Sequence, residues 1–494
     1  MDRRQPLSRP WRWRIATLAA VHLLIVAHIV HWRLAGTTLS SIQLSDAGRF
    51  AAEGVATGAF FLFAALLLVT AIFGRVFCAW GCHMLALQEL SRWILGRLGV
   101  RPRLIRLRVL WIAPFAAAFC VFFQPALERG LRGGAFPAPR AELTSSQLWA
   151  NLPGPAMAVV IVVCGFLMIY FLGSLSFCKY VCPYGALFAV ADGFAVGRVR
   201  LTGACDGCAK CTAACTTGVR VHEHVQQQGM VADSGCMRCF ECVAACPSGA
   251  LAYRFGRPGF ARRLGARITA TYSVSVGEEC VLLSVFAVGF VALYGTYDVL
   301  PLMLSVAASV VAAYLAVVAL RMGRASFVQV RGIVLKRAGR VSAAGVVFSL
   351  VCAMIALLIG HSLLVQYHQR SAATALAALE FPRLRPAYDP AEQQLARAAA
   401  AHLTFCSTRG LVDTVEWQMQ LAWLARVLRE PDAVEAHLRR AIALDPGQPA
   451  AHFNLGKELR RQGRAPEAAR AFAAAVRLAP ALAEYVPRDL GGAS

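Results

Sequence analysis

Eight of the 17 cysteines fall into two runs with the same internal spacing. Each run reads Cys-x2-Cys-x2-Cys-x3-Cys, the first from Cys205 to Cys215 and the second from Cys236 to Cys246. Thiolates are soft ligands that suit iron–sulfur units, copper(I) and zinc. Thiolates this close on one loop can surround three corners of a cubane, whereas zinc uses four ligands that usually come as two separated pairs. Two identical runs of four therefore favour iron–sulfur clusters over structural zinc.

The spacing is that of bacterial ferredoxins with two [4Fe–4S] clusters, in which the fourth cysteine of each run binds the other cluster. That rule assigns the eight cysteines to two sets. Cluster 1 is predicted to be bound by Cys205, Cys208, Cys211 and Cys246, and cluster 2 by Cys236, Cys239, Cys242 and Cys215. Thr216 stands where a proline usually follows the fourth cysteine, a departure that removes no ligand.

Four further cysteines form a second, shorter repeat. The pairs Cys78–Cys82 and Cys178–Cys182 are 100 residues apart, within the similar segments GRVFCAWGCHMLAL and GSLSFCKYVCPYGAL. If the local backbone is helical, this spacing puts both thiols of a pair on one face. The two pairs could then converge into a four-thiolate site that binds a metal, such as copper or iron, or works as redox dithiols. The alternative is that these cysteines are small apolar residues at helix ends.

Composition indicates a membrane protein. Hydrophobic residues make up 58% of the 494 residues and charged residues 16%, which is too apolar for an ordinary soluble protein. Several apolar runs reach the roughly 20 residues that cross a bilayer. Seven membrane spans are predicted, at residues 15–32, 54–73, 109–127, 156–177, 280–296, 302–320 and 343–365. The first is expected to be a retained anchor, because no small-residue cleavage site follows it.

The basic residues set the predicted orientation. The net charge is +23, but Lys and Arg cluster beside the apolar runs, which indicates membrane orientation and not nucleic-acid binding. The loops on the N-terminal side hold 29 Lys and Arg, and those on the other side hold 5. The positive-inside rule predicts a multi-pass protein of the bacterial inner membrane, with the N-terminus and clusters cytoplasmic and the C-terminus periplasmic. The cytosol also keeps the cluster thiols reduced.

A 34-residue repeat follows the last span, with matching residues in both copies. The matched pairs are Leu421 and Leu455, Leu438 and Phe472, Ala441 and Ala475, and Pro446 and Pro480. Residues 417–484 resemble the tetratricopeptide family, whose helical hairpins stack into a surface that captures peptides or proteins. Gly463 marks the turn of the second copy, and the first copy lacks this glycine. The apolar helical pattern at residues 390–405 is predicted to supply the packing partner.

Paired Cys-x3-Cys motifs at span ends, followed by a two-cluster module, resemble the polyferredoxin-type membrane proteins. That group includes the quinol-oxidising accessory subunit of periplasmic nitrate reductase, the regulator of nitrous-oxide reductase and an assembly protein of cbb3 oxidase. The resemblance covers residues 54–255. The Cys-x3-Cys-Pro motif is intact at Cys178, Cys182 and Pro183, but His83 replaces the first proline. The resemblance implies membrane electron transfer between a quinol or a reduced protein and a target.

Several histidines are secondary candidates. His28, His31 and His361 lie in predicted spans, where ionisable groups are functional candidates by default, so they could bind a quinone or haem. The alternative is an amphipathic role at the interface. His222 and His224, between the cysteine runs, are predicted to be solvated loop residues. No dinucleotide-binding glycine motif, Walker loop or Ser-His-Asp pattern occurs, so no nucleotide cofactor is expected.

Together these patterns predict a mainly α fold in four regions. They are a four-span membrane region (1–197), a ferredoxin-like α+β module (198–258), a three-span region (259–366) and a periplasmic tetratricopeptide domain (367–494). The predicted function is electron relay through the two clusters, between quinol or a reduced partner and a periplasmic or membrane redox enzyme. A redox-sensing regulatory or assembly protein and a copper(II) reductase are the alternatives.

Overall fold

The computed structural model describes residues 9–38, 44–100, 102, 104–108, 112–131, 133–144, 158–260, 272–296, 300–383, 385 and 387–487. Within these residues the chain is mainly helical. It divides into two compact units. The first unit comprises Met1–Phe290 and Pro301–Cys352, and the second comprises Val291–Leu300 and Ala353–Ser494.

Helices and short strands alternate along the first unit, and helices alone make up the described part of the second. In chain order, the helices are α1 (Arg9–Ala35), α2 (Arg49–Glu53), α3 (Gly58–Phe73), α4 (Val76–Trp80), α5 (His83–Arg97), α6 (Ala113–Phe122), α7 (Gln124–Leu131), α8 (Ala158–Leu172), α9 (Ser176–Tyr180), α10 (Pro183–Phe194), α11 (Lys210–Ala213), α12 (Val221–Gln228), α13 (Glu241–Ala244), α14 (Val276–Leu293), α15 (Leu302–Arg324), α16 (Ala343–Ala378), α17 (Pro390–Arg409), α18 (Val415–Val427), α19 (Pro431–Leu444), α20 (Pro449–Arg461) and α21 (Ala465–Leu478). The strands are β1 (Val55–Thr57), β2 (Arg140–Glu142), β3 (Gly197–Leu201), β4 (Leu251–Phe255), β5 (Val328–Val330), β6 (Ile333–Arg337) and β7 (Arg340–Val341). β1 pairs with β2 in parallel, β3 with β4 antiparallel, and β5, β6 and β7 form an antiparallel sheet.

Four helices are long and apolar enough to cross a membrane: α1, α14, α15 and α16. They coincide with four of the seven predicted spans. In the apolar part of α15, 67% of the residues are buried, so α15 packs among other helices, whereas in α1 and α16 the share is 6%. Leu23 of α1 and Leu357 of α16 are 71% and 74% exposed. Such apolar exposure suits contact with lipid and not with water.

The other three predicted spans correspond to shorter apolar helices, α3, α6 and α8. α3 ends at Gly74 (φ 79°) and α8 at Gly173 (φ 99°), two positions where the positive φ stops the helix. α6 ends at Phe123 (φ −122°). Residues 109–111 and 145–157, where two of these predicted spans begin, lie outside the described residues. In the described part of the chain, four helices and not seven reach the length that a bilayer requires.

β3 and β4 bracket the two cysteine runs. They pair from Gly197 opposite Phe255 to Leu201 opposite Leu251. α11 and α13 each hold the third cysteine of a run, and α12 lies between them. Three cysteines pack in the core of this module with six apolar side chains. These residues are Cys211, Cys236 and Cys242, with Val199, Val219, Val221, Val225, Val231 and Leu251.

In the second unit, α18 to α21 form two helical hairpins, and the helices of both hairpins begin and end at equivalent positions of the sequence repeat. The sequence repeat is therefore also a repeat of structure. Gly463 (φ 77°) ends the turn of the second hairpin, and Arg429 takes the same left-handed conformation (φ 62°) at the equivalent position of the first. This explains how the first copy keeps the turn without a glycine, at a cost of roughly 1–2 kcal/mol.

α17 supplies the packing partner that the sequence predicted for the repeat. Asp389 and Glu392 form a capping box at its start. Its buried Leu403 and Cys406 belong to the same apolar core as Leu421 of α18. α17 therefore packs against the outer face of the first hairpin.

Candidate iron–sulfur sites

The two cysteine runs have the same backbone conformation. Gly207 and Arg238 precede the second cysteine of their runs with φ 71° and 58°, and Ala209 and Phe240 follow it with φ 54° and 62°. α11 and α13 then begin directly before the third cysteine of each run. Left-handed residues in such loops direct successive N–H groups into one concavity, a geometry found at many Fe–S sites. Each run is therefore shaped to surround an anionic group.

The four cysteines assigned to cluster 1 line one cavity. Cys205, Cys208 and Cys211 reach it from the first run, and Cys246 reaches it from the second. Cys205 and Cys208 are exposed to solvent, whereas Cys211 is buried. The structure thus brings together the four cysteines that were predicted to bind cluster 1, including the fourth cysteine of the other run.

The four cysteines assigned to cluster 2 are also neighbours. Cys242 interacts electrostatically with Cys236, Cys239 and Cys215, and less strongly with Cys211 of the first set, and Cys215 interacts in turn with Cys236. Cys236 and Cys242 are buried, and Cys239 and Cys215 are half-buried. Burial raises the pKa of the Cys239 thiol to about 12, so this thiol stays protonated at neutral pH unless a metal displaces the proton. This second set lies deeper in the protein than the first.

A buried charge triad fixes the loop of the second run. Arg238 lies between Cys236 and Cys239, and its Nη2 donates to Asp192 Oδ1 at 2.7 Å. Asp192 Oδ2 lies 3.3 Å from Arg198 Nη2, and all three side chains of the triad are fully buried. Asp192 belongs to α10, so the triad joins the cysteine loop to the region of the thiol pairs. Sequence reasoning missed these residues, because arginine and aspartate ordinarily indicate surface.

The histidines between the runs are not solvated loop residues, so that prediction is wrong. Both belong to α12, and His224 is 7% exposed, with Nε2 3.7 Å from Asp233 Oδ2. His222 Nδ1 lies 2.8 Å from Thr212 Oγ1. Burial raises the pKa of Asp233, but the nearby His224 imidazole and the Gly235 amide, which donates to Oδ1 at 2.7 Å, outweigh it and lower the pKa to about 2. This ionised aspartate supports the packing of α12 beside the cysteine runs.

The duplicated thiol pairs adopt the same local fold in both copies. Cys78 and Cys178 lie in the short helices α4 and α9, and Cys82 and Cys182 are the N-caps of α5 and α10. The helix is therefore interrupted between the two cysteines of each pair, so the condition of a helical backbone through the pair is not met. Pro183 explains the break in the second copy, because proline favours the first turn of a helix and disrupts its interior.

The two thiol pairs converge. Gln88 of the first copy donates from Nε2 to Cys178 Sγ of the second at 2.9 Å. Cys178 and Cys182 both interact electrostatically with Cys78 and Cys82. Among the described residues, no three His, Cys, Asp or Glu side chains lie close enough to hold a single metal ion. The sulfurs of these four cysteines are therefore neighbours but are not arranged around one ion.

The three candidate quinone or haem histidines differ in their surroundings. His28 Nε2 lies 2.8 Å from Thr38 Oγ1, and His31 is exposed. His361 Nε2 donates to the Arg409 carbonyl at 2.9 Å, because a carbonyl oxygen can only accept. These contacts do not test the suggested roles, which stay predictions.

Comparison with known proteins agrees with the geometry. A model of a 4Fe–4S dicluster domain matches residues 197–247, and a model of a 4Fe–4S binding domain matches residues 55–101 and 155–202. The chain therefore contains a ferredoxin-type domain of the two-cluster kind. Each copy of the thiol-pair repeat also falls within a segment that matches a 4Fe–4S binding domain.

The similar curated proteins include a ferredoxin-type protein and a putative electron transport protein. The methylamine utilization ferredoxin-type protein MauN of Methylobacillus flagellatus is 24% identical, over 41% of this chain and 76% of that protein. The putative electron transport protein YccM of Escherichia coli is 23% identical, over 37% of this chain and 52% of that protein. No solved structure matches significantly. The chain is thus similar to ferredoxin-type electron transport proteins, and its described residues include four helices long and apolar enough to cross a membrane.

Proposed function

We propose that this protein relays electrons at a membrane through two [4Fe–4S] clusters, between a quinol or a reduced protein and a periplasmic or membrane redox enzyme. The observation that carries the proposal is the pair of cysteine loops with the same conformation and exchanged fourth cysteines. When bound, the two clusters supply one-electron redox chemistry. Cys205, Cys208, Cys211 and Cys246 hold the first cluster, and Cys236, Cys239, Cys242 and Cys215 hold the second.

The unequal burial of the two sets supports an order of the clusters in the relay. Cys205 and Cys208 are exposed, so the first set faces a protein partner. Cys239 of the second set packs against the same apolar core as Cys78, Cys82 and Cys178. The second set therefore adjoins the region of the apolar helices, and the first set is the exit or entry point at the surface.

The function is tested by mixing the purified, cluster-loaded chain anaerobically with the quinol analogue duroquinol. Loss of the visible absorbance of the clusters is expected. In Cys239→Ala, which lacks a ligand of cluster 2, quinol is expected to leave cluster 1 oxidised, whereas dithionite still reduces it. Reduction of the wild-type protein by dithionite but not by quinol would contradict quinol oxidation and favour a redox sensor. Oxidation of the reduced protein by copper(II), lost in a Cys78→Ala, Cys178→Ala variant, would favour a copper reductase.

The proposed membrane topology has seven crossings, with α3, α6 and α8 as the cores of the three shorter ones. Support comes from the strong excess of Lys and Arg in the loops on one side. The N-terminus and the ferredoxin module then lie in the cytoplasm of a bacterium, and the second unit lies in the periplasm. If only α1, α14, α15 and α16 crossed, the ferredoxin module and the C-terminus would each lie on the opposite side.

Reporter fusions distinguish these two topologies. Green fluorescent protein fused after Gly256 is expected to fluoresce, and alkaline phosphatase fused at the C-terminus is expected to be active, because the former works in the cytoplasm and the latter in the periplasm. The exchanged pair of reporters serves as the control and should be silent at both sites. Active alkaline phosphatase after Gly256 would contradict seven crossings.

We further propose that the two repeated hairpins form a tetratricopeptide domain that binds a periplasmic redox enzyme or maturation factor. The support is the agreement of all helix boundaries with the sequence repeat and the packing of Phe472 against Gly456, where an added Cβ would lie 2.9 Å from the ring. Stacked hairpins of this kind present a continuous surface to a peptide or protein.

A further inference from the structure

Arg75 is a buried cation beside the duplicated thiol pairs. It is 5% exposed, and its Nη1 donates to the Ser234 carbonyl at 2.9 Å. Its Nε is buried and has no hydrogen-bond partner, and in the described part of the chain no carboxylate lies within ion-pair distance of it. Burial opposes its charge most strongly, and the neighbouring groups that act in the opposite direction are the thiols of Cys78 and Cys178 and the carboxylate of Asp192. A buried guanidinium needs a close counter-charge, which neutral thiols do not supply.

Other polar groups around the thiols are also arranged to stabilise negative sulfur. Gln88 is 1% exposed and donates to Cys178 Sγ at 2.9 Å. The Gly185 amide, in the first turn of α10, donates to Cys182 Sγ at 3.4 Å. Cys82 occupies the same N-cap position at α5. Amide donors and helix N-termini favour thiolates over thiols, but burial outweighs them and raises the pKa of the Cys82, Cys178 and Cys182 thiols. These sulfurs therefore become anionic only when a metal displaces their protons.

We propose that Cys78, Cys82, Cys178 and Cys182 together bind a third [4Fe–4S] cluster. Each copy of the repeat lies in a segment that matches a 4Fe–4S binding domain, yet each copy supplies only two cysteines. Two copies are therefore needed to complete one set of four ligands. A cubane with four thiolates is anionic overall, and it supplies the close counter-charge that Arg75 lacks.

The duplicated pairs and the ferredoxin module share one feature of their cysteine arrangement. In the described residues, neither these four cysteines nor the eight of the ferredoxin module are grouped around one metal-ion position. The thiolates of a [4Fe–4S] cluster bind four separate irons, whereas the four ligands of a tetrathiolate zinc site surround one ion. The duplicated pairs therefore resemble the ferredoxin sets in this respect.

The third site adjoins cluster 2. Met237 and Cys239, from the second cysteine run, share an apolar core with Cys78, Cys82 and Cys178. The indole N–H of Trp80, which closely follows Cys78, donates to the Arg238 carbonyl at 3.0 Å. If the proposed relay holds, the order is third site, cluster 2 and cluster 1. A quinol releases two protons and two electrons as it becomes a quinone, and these electrons, or those of the reduced protein, then pass one at a time along this order to the acceptor.

The test is the iron and acid-labile sulfide content of the full chain, purified anaerobically. About twelve irons per chain are expected, because each cluster holds four. The variant Cys78→Ala, Cys178→Ala is expected to hold about eight, with the integrated spin after dithionite reduction falling from about three to about two per chain. Cys120→Ala, at a half-buried cysteine of α6 outside both repeats, is the matched control and should keep about twelve.

Arg75→Gln provides a second measurement that does not depend on removing ligands. Loss of the buried positive charge is expected to make the third cluster harder to reduce, so its spin signal appears at a lower potential in a redox titration, whereas Arg75→Lys should restore most of the shift. Only about eight irons in the wild-type protein would overturn the proposal even if quinol reduces them, and the relay would stand. Conversely, about twelve irons without reduction by quinol would overturn the quinol relay and leave the third site intact.

Discussion

Replacing Asp192 with alanine is expected to lower the free energy of unfolding of the first compact unit by about 3–5 kcal/mol, because two buried guanidinium groups lose their shared carboxylate. The carboxylate lies 2.7 Å from Arg238 Nη2 and 3.3 Å from Arg198 Nη2, with every side chain of the triad fully buried. Removing one partner of a buried ion pair leaves an uncompensated charge in a medium of low polarity. Here a single substitution leaves two such charges.

The guanidinium groups keep other hydrogen bonds, so the loss is mainly one of charge. Arg198 Nη1 still donates to the Val231 carbonyl at 3.1 Å, and Arg238 Nη1 still donates to the Cys236 carbonyl at 2.6 Å. The Asp192→Asn variant keeps the volume and one acceptor but not the charge. It is expected to destabilise the unit with the same sign, which separates the charge from the packing. Cluster 2 should be lost first, because Arg238 lies within its loop.

Thermal unfolding in detergent, followed by the visible absorbance of the clusters and by circular dichroism, measures this effect. The matched control is Glu53→Ala, which removes a carboxylate from a surface pair with Arg49 that is 48% exposed at the glutamate. A loss of at most about 1 kcal/mol is expected there. Equal stability of the Asp192 and Glu53 variants would show that the triad does not hold the cysteine loop.

The cysteine loops could be predicted from the sequence because most ligands of one cluster must lie close together along the chain. The same local requirement made the spacing of Cys78 and Cys82 visible, and the similar segment around Cys178 revealed the second copy. The sequence did not indicate how the chain brings these four thiols together. Cys82 caps a new helix, and Cys178 is reached by Gln88 across the repeat, which depends on the packing of α5 against the second copy.

Buried charges were the part that the sequence could not indicate. Arg75, Asp192 and Arg238 resemble surface residues by type, and their burial follows from contacts between segments that are distant along the chain. Gly74 is an exception, because its residue type does give a sequence signal near these buried charges. Its φ of 79° and the close approach of Arg238, 2.7 Å from an added Cβ, explain why glycine stands before Arg75. A glycine between an apolar run and a charged residue is a signal of close packing that sequence reasoning could have used.

The lengths of the predicted membrane spans differ from those of the observed helices for a similar reason. Hydropathy counts apolar residues but does not register where the backbone leaves helical geometry. Gly173 and Phe123 end two apolar helices inside runs that are apolar enough in composition to be spans. The long helices α15 and α16 contain no such break, and their predicted spans agree with the structure.

The second large prediction follows from the exchange of the fourth cysteine between the two runs. Two double variants that each lack two cysteines are expected to lose different amounts of iron. Cys205→Ala, Cys246→Ala removes two ligands of the same cluster, so about four irons are expected to be lost. Cys205→Ala, Cys215→Ala removes one ligand from each cluster, so about eight are expected to be lost. The single variant Cys205→Ala should lose about four.

The structural reason lies in the positions of the fourth cysteines. Cys246 lines the same cavity as Cys205, Cys208 and Cys211, although it belongs to the second run. Cys215 interacts with Cys236 and Cys242, although it belongs to the first. If each run instead bound its own cluster, the two double variants would exchange their iron losses, because Cys205 and Cys215 would then serve one cluster. Alanine is used because serine can replace cysteine as an oxygen ligand. Iron bound at the duplicated thiol pairs is common to both variants and cancels from the comparison, so the result depends only on which cysteines share a cluster.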